Sequence, residues 1–318
     1  MAKFIAQRLV ETIPVVILAS LLVFAILHLI PGDPVDAMLG SAAAGIGTPE
    51  QRAQIEAQIN EELGLSDPLP IQYAHWAWNA LRGDLGQSYI RHEPVAQLIA
   101  ERLPSTLELA GAALLLSVIL GVGLGILAAL KRNTPIDGLV MVVSLGGVSI
   151  PSFAFALLLI LVFSVFLGLL PATGSGSFDR LILPAVVLGY EGVGLIARLT
   201  RASLLEVMGL EYIRTARAKG LAGRTIVLRH AMRNALIPIV TIVGLQAGRL
   251  LAGSVIVETV FARQGIGQLA IDSINTKDYP VVQGVILLTA IAYVVANLLV
   301  DLSYGFLNPR IRQGNAAA

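Results

Sequence analysis

Glu191 and Arg249 sit inside stretches of sequence otherwise apolar enough to lie in lipid. An ionisable side chain is expensive there and faces a cavity or a partner. Two readings follow. Either one or both line a polar route across the membrane, closing as an ion pair when the route is shut, or they make a permanent structural contact, as a packing pair or with a partner chain. Gln246 and Asn297 are weaker candidates of the same kind. Other chemistry has little to stand on. His28, His75, His92 and His230 fall in separate segments with no pair at ligand spacing on one helix face, so no metal site is expected. The chain has 0 cysteines, which excludes disulfides, thiolate ligands and a cysteine nucleophile. No strand-turn-helix elbow accompanies a serine, and no Gly-x-x-x-x-Gly-Lys-Ser/Thr loop is present to cradle phosphates. No catalytic residue is assigned, and the expectation is that the chain is not an enzyme.

The elements that must position these residues are membrane spans. Hydrophobic residues make up 56% of the 318, and mean hydropathy is +0.78. That exceeds the roughly 45–50% of soluble domains. The surplus collects into blocks long enough to cross a hydrocarbon core, which takes about 20 helical residues. The blocks cover residues 9–30, 106–130, 139–170, 181–197, 235–257 and 281–306, giving an all-α integral membrane protein of six transmembrane helices. The first block is too long for a signal peptide and lacks an Ala-x-Ala cleavage pattern. Gly121, Gly123 and Gly125 have the small-residue spacing of close helix packing. Lys3, Arg8, Lys131, Arg132, Arg198, Arg201, Arg310 and Arg312 fall on one side, so N- and C-termini are expected in the cytoplasm. The net charge of only +1 argues against nucleic acid as a partner.

Two hydrophilic segments interrupt the spans. Residues 31–102 form an external, folded segment. Within it Thr48, Pro49 and Gln51 make a capping box for a helix ending at Gly64, and Pro70 to Trp78 is expected as a short interfacial helix. Residues 198–234 are cytoplasmic. Gly209 breaks the extension of the fourth span, and Glu211 to Gly220 is expected as a separate short helix. Its acid lies in the first turn, its cations come later, and Gly220 suits a left-handed stop. Tyr212 and Ile213 offer apolar anchors, while Ala216, Ala218 and Gly220 allow close approach to another surface. A basic helix lying on anionic lipid is the alternative use of these residues.

The phrase from Glu211 to Leu221, followed by Arg229-His230-Ala231-Met232-Arg233-Asn234-Ala235 and Ile237-Pro238, resembles the cytoplasmic coupling loop of bacterial ABC importer permeases. Arg82 to Ser88, Glu101 to Leu109, Ser149 to Phe153, Gly253 to Phe261, Asp278 to Gly284 and Asn308 to Arg312 extend the likeness over nearly the whole chain. More narrowly, it resembles the dipeptide/oligopeptide/nickel permease family, specifically its first (B-type) subunit. Of the general importer motif's Glu-Ala-Ala only Ala216 matches, Pro238 follows Gly220 at a longer interval, and Gln264 stands where the family often has proline.

The resemblance implies that the loop 198–234 carries a coupling helix between spans 4 and 5 that enters a groove on a cytoplasmic ATPase. Its coupling surface would be Glu211, Tyr212, Arg214, Thr215, Ala216, Arg217, Lys219 and Gly220. The implied partners are a second homologous permease subunit forming a heterodimer, two ABC ATPase subunits, an extracytoplasmic solute-binding protein and membrane lipid. ATP and Mg would be held by the ATPases, with no cofactor on this chain. Such permeases sit in the bacterial cytoplasmic (inner) membrane and work by alternating access, here on di- or oligopeptides, within a family range that includes nickel chelates, glutathione, opines and sugars. A self-sufficient secondary transporter or channel, the rival, predicts paired helix breaks in two inverted halves, and the sequence offers no convincing pair.

Overall fold

The computed structural model describes residues 2–29 and 67–307. These are helical throughout their regular elements: α1 (Ala2–Leu29), α2 (Leu69–Leu81), α3 (Val95–Leu130), α4 (Pro135–Ser149), α5 (Ser152–Leu159), α6 (Asp179–Met208), α7 (Glu211–Ala218), α8 (Met232–Val260), α9 (Ile266–Asn275) and α10 (Tyr279–Leu307). A π-helical turn, Ile160–Phe166, extends α5, and a helical lead-in, Gly223–Thr225 and Ile226–Ala231, precedes α8. The capping box at Thr48, Pro49 and Gln51 and the ending Asn308 to Arg312 lie outside the described residues.

Four helical segments are long and apolar enough to cross a membrane: Val95–Leu130, Asp179–Met208, Gly223–Leu251 and Tyr279–Leu299. The expected third span is not one straight helix. It divides at Ile150-Pro151 into α4 and the α5 pair, which meet at 111° and would make a fifth span if counted together. The cause is local: proline disfavours α geometry in the residue before it, and Ile150 is extended at φ −90°, ψ 123°. The second and fourth spans also run beyond their expected bounds. α3 begins at Val95, inside the segment assigned to 31–102, and α6 continues to Met208, where Gly209 ends it. α2 forms where a short helix was expected at Pro70 to Trp78. Its Tyr73 and Trp76 pack on Phe24 of α1, with ring centroids 5.6 and 6.2 Å away, and Tyr73 Oη lies 2.8 Å from Ser20 Oγ.

α6 is the centre of the bundle. About two thirds of its apolar window is buried, against a third or less for the other spans, so it is screened from lipid by its neighbours. Its most extensive contact is with α3, and it also packs on α4 and α8. Two glycines of α3 make that approach possible. A Cβ on Gly121 would stand 2.7 Å from Ile196 Cβ, and one on Gly125 would stand 2.6 Å from the Ala197 carbonyl. Gly123, on the other face of the helix, has nothing within 4 Å. The expected packing role therefore holds for Gly121 and Gly125 and not for Gly123. An ion pair closes one end of the α4–α6 contact: Arg201 donates through Nε and Nη2 to both Asp137 oxygens at 2.6 and 2.7 Å.

Candidate functional site

Three of the four intramembrane polar candidates come together. Glu191 on α6, and Gln246 and Arg249 on α8, line one cavity of about 580 Å³ with Tyr190, Pro151, Phe155 and Tyr293. The break at Pro151 shapes its wall, because it turns α5 away from α4 beside Tyr190. That tyrosine is fixed by donating to the Val143 carbonyl at 2.7 Å, and its ring lies 4.8 Å from that of Phe155. Arg249 Nη2 donates to Glu191 Oε1 at 3.4 Å, and the two side chains remain 61% and 51% exposed. Asn297 is set apart from this group. It does not line the cavity, and its Oδ1 is buried without a hydrogen-bond partner among the described residues. Tyr190 and Tyr293 were missed by sequence reasoning, because a tyrosine in an apolar block gives no signal of which way it faces.

The short helix expected at Glu211 to Gly220 forms as α7, and its stop can be followed bond by bond. Gly220 N–H donates to the Arg217 carbonyl at 2.9 Å and Leu221 N–H to the Ala216 carbonyl at 3.3 Å, the paired bonds of a Schellman motif. Gly220 takes φ +75°, where a side chain would be strained, although a Cβ there would meet nothing within 4 Å. Ile213 and Ala216 are buried, three residues apart on one face, in a core formed by Leu204 and Val207 of α6, Ile226, Val227 and Ala231 of the lead-in, and Met232 and Ala235 of α8. Tyr212 Oη accepts from Asn234 Nδ2 at 2.9 Å and reaches the His230 carbonyl at 3.5 Å. Ala216 and Ile213 thus face the chain's own core, a correction to the expected surface, from which Ala216 drops out. Glu211, Tyr212, Arg214, Thr215, Arg217, Lys219 and Gly220 stay exposed.

The opposite end of the bundle holds a buried polar network. Glu258 accepts from Thr106 Oγ1 at 2.7 Å and from the backbone N–H groups of Gly267 at 2.8 Å and Gln268 at 3.2 Å. Buried Arg263 donates to Glu108, and Asp278 accepts from Ser88 Oγ and from Tyr89 N–H, the latter at 3.0 Å. Burial, and then the Asp278 charge, push the Tyr89 phenol up to about 12, so it stays neutral. Its side-chain bonds, Thr106 to Glu258, Arg263 to Glu108 and Ser88 to Asp278, join residues more than 150 positions apart, which is why no spacing rule revealed the network.

Comparison with known proteins decides what this arrangement belongs to. Residues 121–313 match the family model for the binding-protein-dependent transport system inner membrane component, and residues 1–110 match that for its N-terminal region. The chain is a permease of this family. It is 44% identical over 312 residues to the glutathione transport system permease protein GsiC of Escherichia coli O6:H1, covering 98% of this chain and 99% of that one. The corresponding proteins of Escherichia coli K12 and Salmonella typhimurium are 43% and 41% identical over the same lengths. An inward-facing structure of the MetNI methionine ABC transporter shares the fold, with TM-score 0.56 and 20% identity over 67% of this chain and 97% of that one. This permease is therefore the membrane component of an ABC importer, a multi-pass protein of the inner membrane that operates with ATPase and binding-protein partners. It is a transport component and not itself an enzyme, and the self-sufficient carrier is set aside.

Proposed function

We propose that this permease forms half of a peptide translocation path, worked by alternating access and driven through α7. The observation that carries the reading is mechanical. α7 is locked by Ile213 and Ala216 onto the ends of α6 and α8, and those two helices carry Glu191 and Arg249 into the cavity. A push on the exposed side of α7, at Glu211, Tyr212, Arg214, Thr215, Arg217, Lys219 and Gly220, passes to both cavity-bearing helices. Two cytoplasmic ATPase subunits, holding ATP and Mg, supply that push, and a homologous second permease completes the path as a heterodimer. α1, with its apolar stretch Val10–Ala25, and the bent α4–α5 pair bring the candidate spans to six, with both termini and the loop 198–234 in the cytoplasm. Peptide substrates are supported by the relatives' named cargo, since glutathione is itself a tripeptide.

The absence of cysteine makes a direct test available. Ser152→Cys places a thiol at the cavity wall. In the reconstituted transporter, its modification by a membrane-impermeant thiol reagent is expected to change several-fold between the nucleotide-free and ATP-trapped states. Labelling of this chain that ignores nucleotide would overturn the path assignment.

A further inference from the structure

Two of the ion pairs among the described residues, Asp137–Arg201 and Glu191–Arg249, contrast in build. Asp137 is buried and held by two short bonds from Arg201 and a third from the Asn133 N–H at 3.0 Å, an arrangement suited to a fixed joint. Glu191 and Arg249 share one long bond, stay half exposed, and face a cavity whose volume is within the range of about 300–1,000 Å³ common to small-molecule sites. A fixed joint in a membrane protein gains from being buried and bidentate. A pair left open, with one bond and solvent access, keeps both charges at little cost in rearrangement.

From this contrast we propose that Glu191 and Arg249 form an exchangeable pair that recognises the zwitterion of a short peptide, Glu191 taking the α-ammonium and Arg249 the carboxylate. The inference rests on the cavity being the translocation path. A peptide of two or three residues spans roughly 7–11 Å, so the two side chains must part, and they stand on different helices, α6 and α8, that can move apart. Opening the pair costs each side chain the contact it makes with the other. A ligand carrying both charges restores both contacts. A peptide blocked at either end restores one and strands the other, and a site built to pair a group rejects the analogue that lacks it. Tyr190 and Tyr293 supply flat, weakly polar walls that place few demands on side-chain identity. The charge pair thus selects for free termini and leaves the choice among peptides to other parts of the importer.

The Ser152→Cys transporter, reconstituted with its ATPases and the second permease but without binding protein, tests this. Alanyl-alanine, its N-acetyl derivative and its C-terminal amide are each titrated as protectants against thiol modification. Protection by alanyl-alanine is expected at a concentration about tenfold or more below that of either blocked form. In Glu191→Gln the N-acetyl peptide should protect as well as the free one, while the amide stays weak. In Arg249→Gln the amide should recover and the N-acetyl form stay weak. Equal protection by all three in the parent, an equal shift of all three in both variants, or no protection by any of them would overturn the inference. Nucleotide-dependent labelling in the same samples reports on the path separately, so failure of the charge rule alone leaves the path standing.

Discussion

Ile213→Asp is expected to reduce ATP-driven uptake by more than about tenfold while leaving the permease in the membrane. Ile213 is fully buried between the ends of α6 and α8, and it is the larger of the two buried side chains that hold α7 there. Removing such a side chain costs about 2–5 kcal/mol of packing, and the aspartate adds a carboxylate with no partner. Since 1.4 kcal/mol is already a factor of ten in an equilibrium, α7 should leave its seat for most of the population. The spans do not depend on that seat, because the α3–α6 core and the network around Glu258 lie elsewhere. The check is uptake by proteoliposomes beside ATPase activity: the signature of an undocked α7 is hydrolysis that persists with transport lost. Arg214→Ala, on the exposed side, leaves the seat intact, so its effect on uptake should come without undocking.

Gly125→Leu is expected to remove most of the folded permease, whereas Gly123→Leu should be tolerated. At position 125 the first added carbon already stands 2.5 Å from Thr200 Cβ and 2.6 Å from the Ala197 carbonyl, and a backbone carbonyl cannot turn aside as a side chain can. Overpacking typically costs about 1–3 kcal/mol when the surroundings adjust. Here adjustment means pushing α3 off α6, the most extensive contact in the bundle. At position 123 nothing lies within 4 Å, and leucine favours the helix over glycine. The yield of monodisperse protein in detergent checks both, with the two variants differing by two residues in sequence and by a face of the helix in space.

What could be read from the sequence divides by the range of the interactions involved. α7 was legible because its determinants are local: an acid in the first turn, cations later, a glycine at the left-handed stop. Its orientation was also in reach, since Ile213 and Ala216 are the apolar residues three apart, but likeness to a coupling surface drew Ala216 outward. Hydrophobicity marked the apolar block 139–170 and could not give its course, because a bent pair and a straight helix have the same composition. The signal for the bend was Pro151, whose effect on Ile150 is steric and local. Glu191, Gln246 and Arg249 were found because polar groups in lipid are costly, and the same rule gave Asn297, which the cavity does not include. That rule reports that a polar group needs a partner and not which one. The Glu258 and Asp278 networks required knowing that residues more than 150 positions away would arrive beside them.

If an ATPase moves α6 and α8 by acting on α7, the exposed side of α7 lies against that ATPase. The most direct measurement places a single cysteine at Arg214 of the cysteine-free chain, attaches a thiol-linked benzophenone, and photolyses the assembled transporter in its membrane. A second chain carries the probe at Phe178→Cys, an exposed position at the far end of α6. An adduct is expected between the Arg214→Cys chain and an ATPase subunit, its yield changing between the nucleotide-free and ATP-trapped states, with none from Phe178→Cys. Adducts to lipid alone from Arg214→Cys, or ATPase adducts no more abundant than from Phe178→Cys, would contradict it.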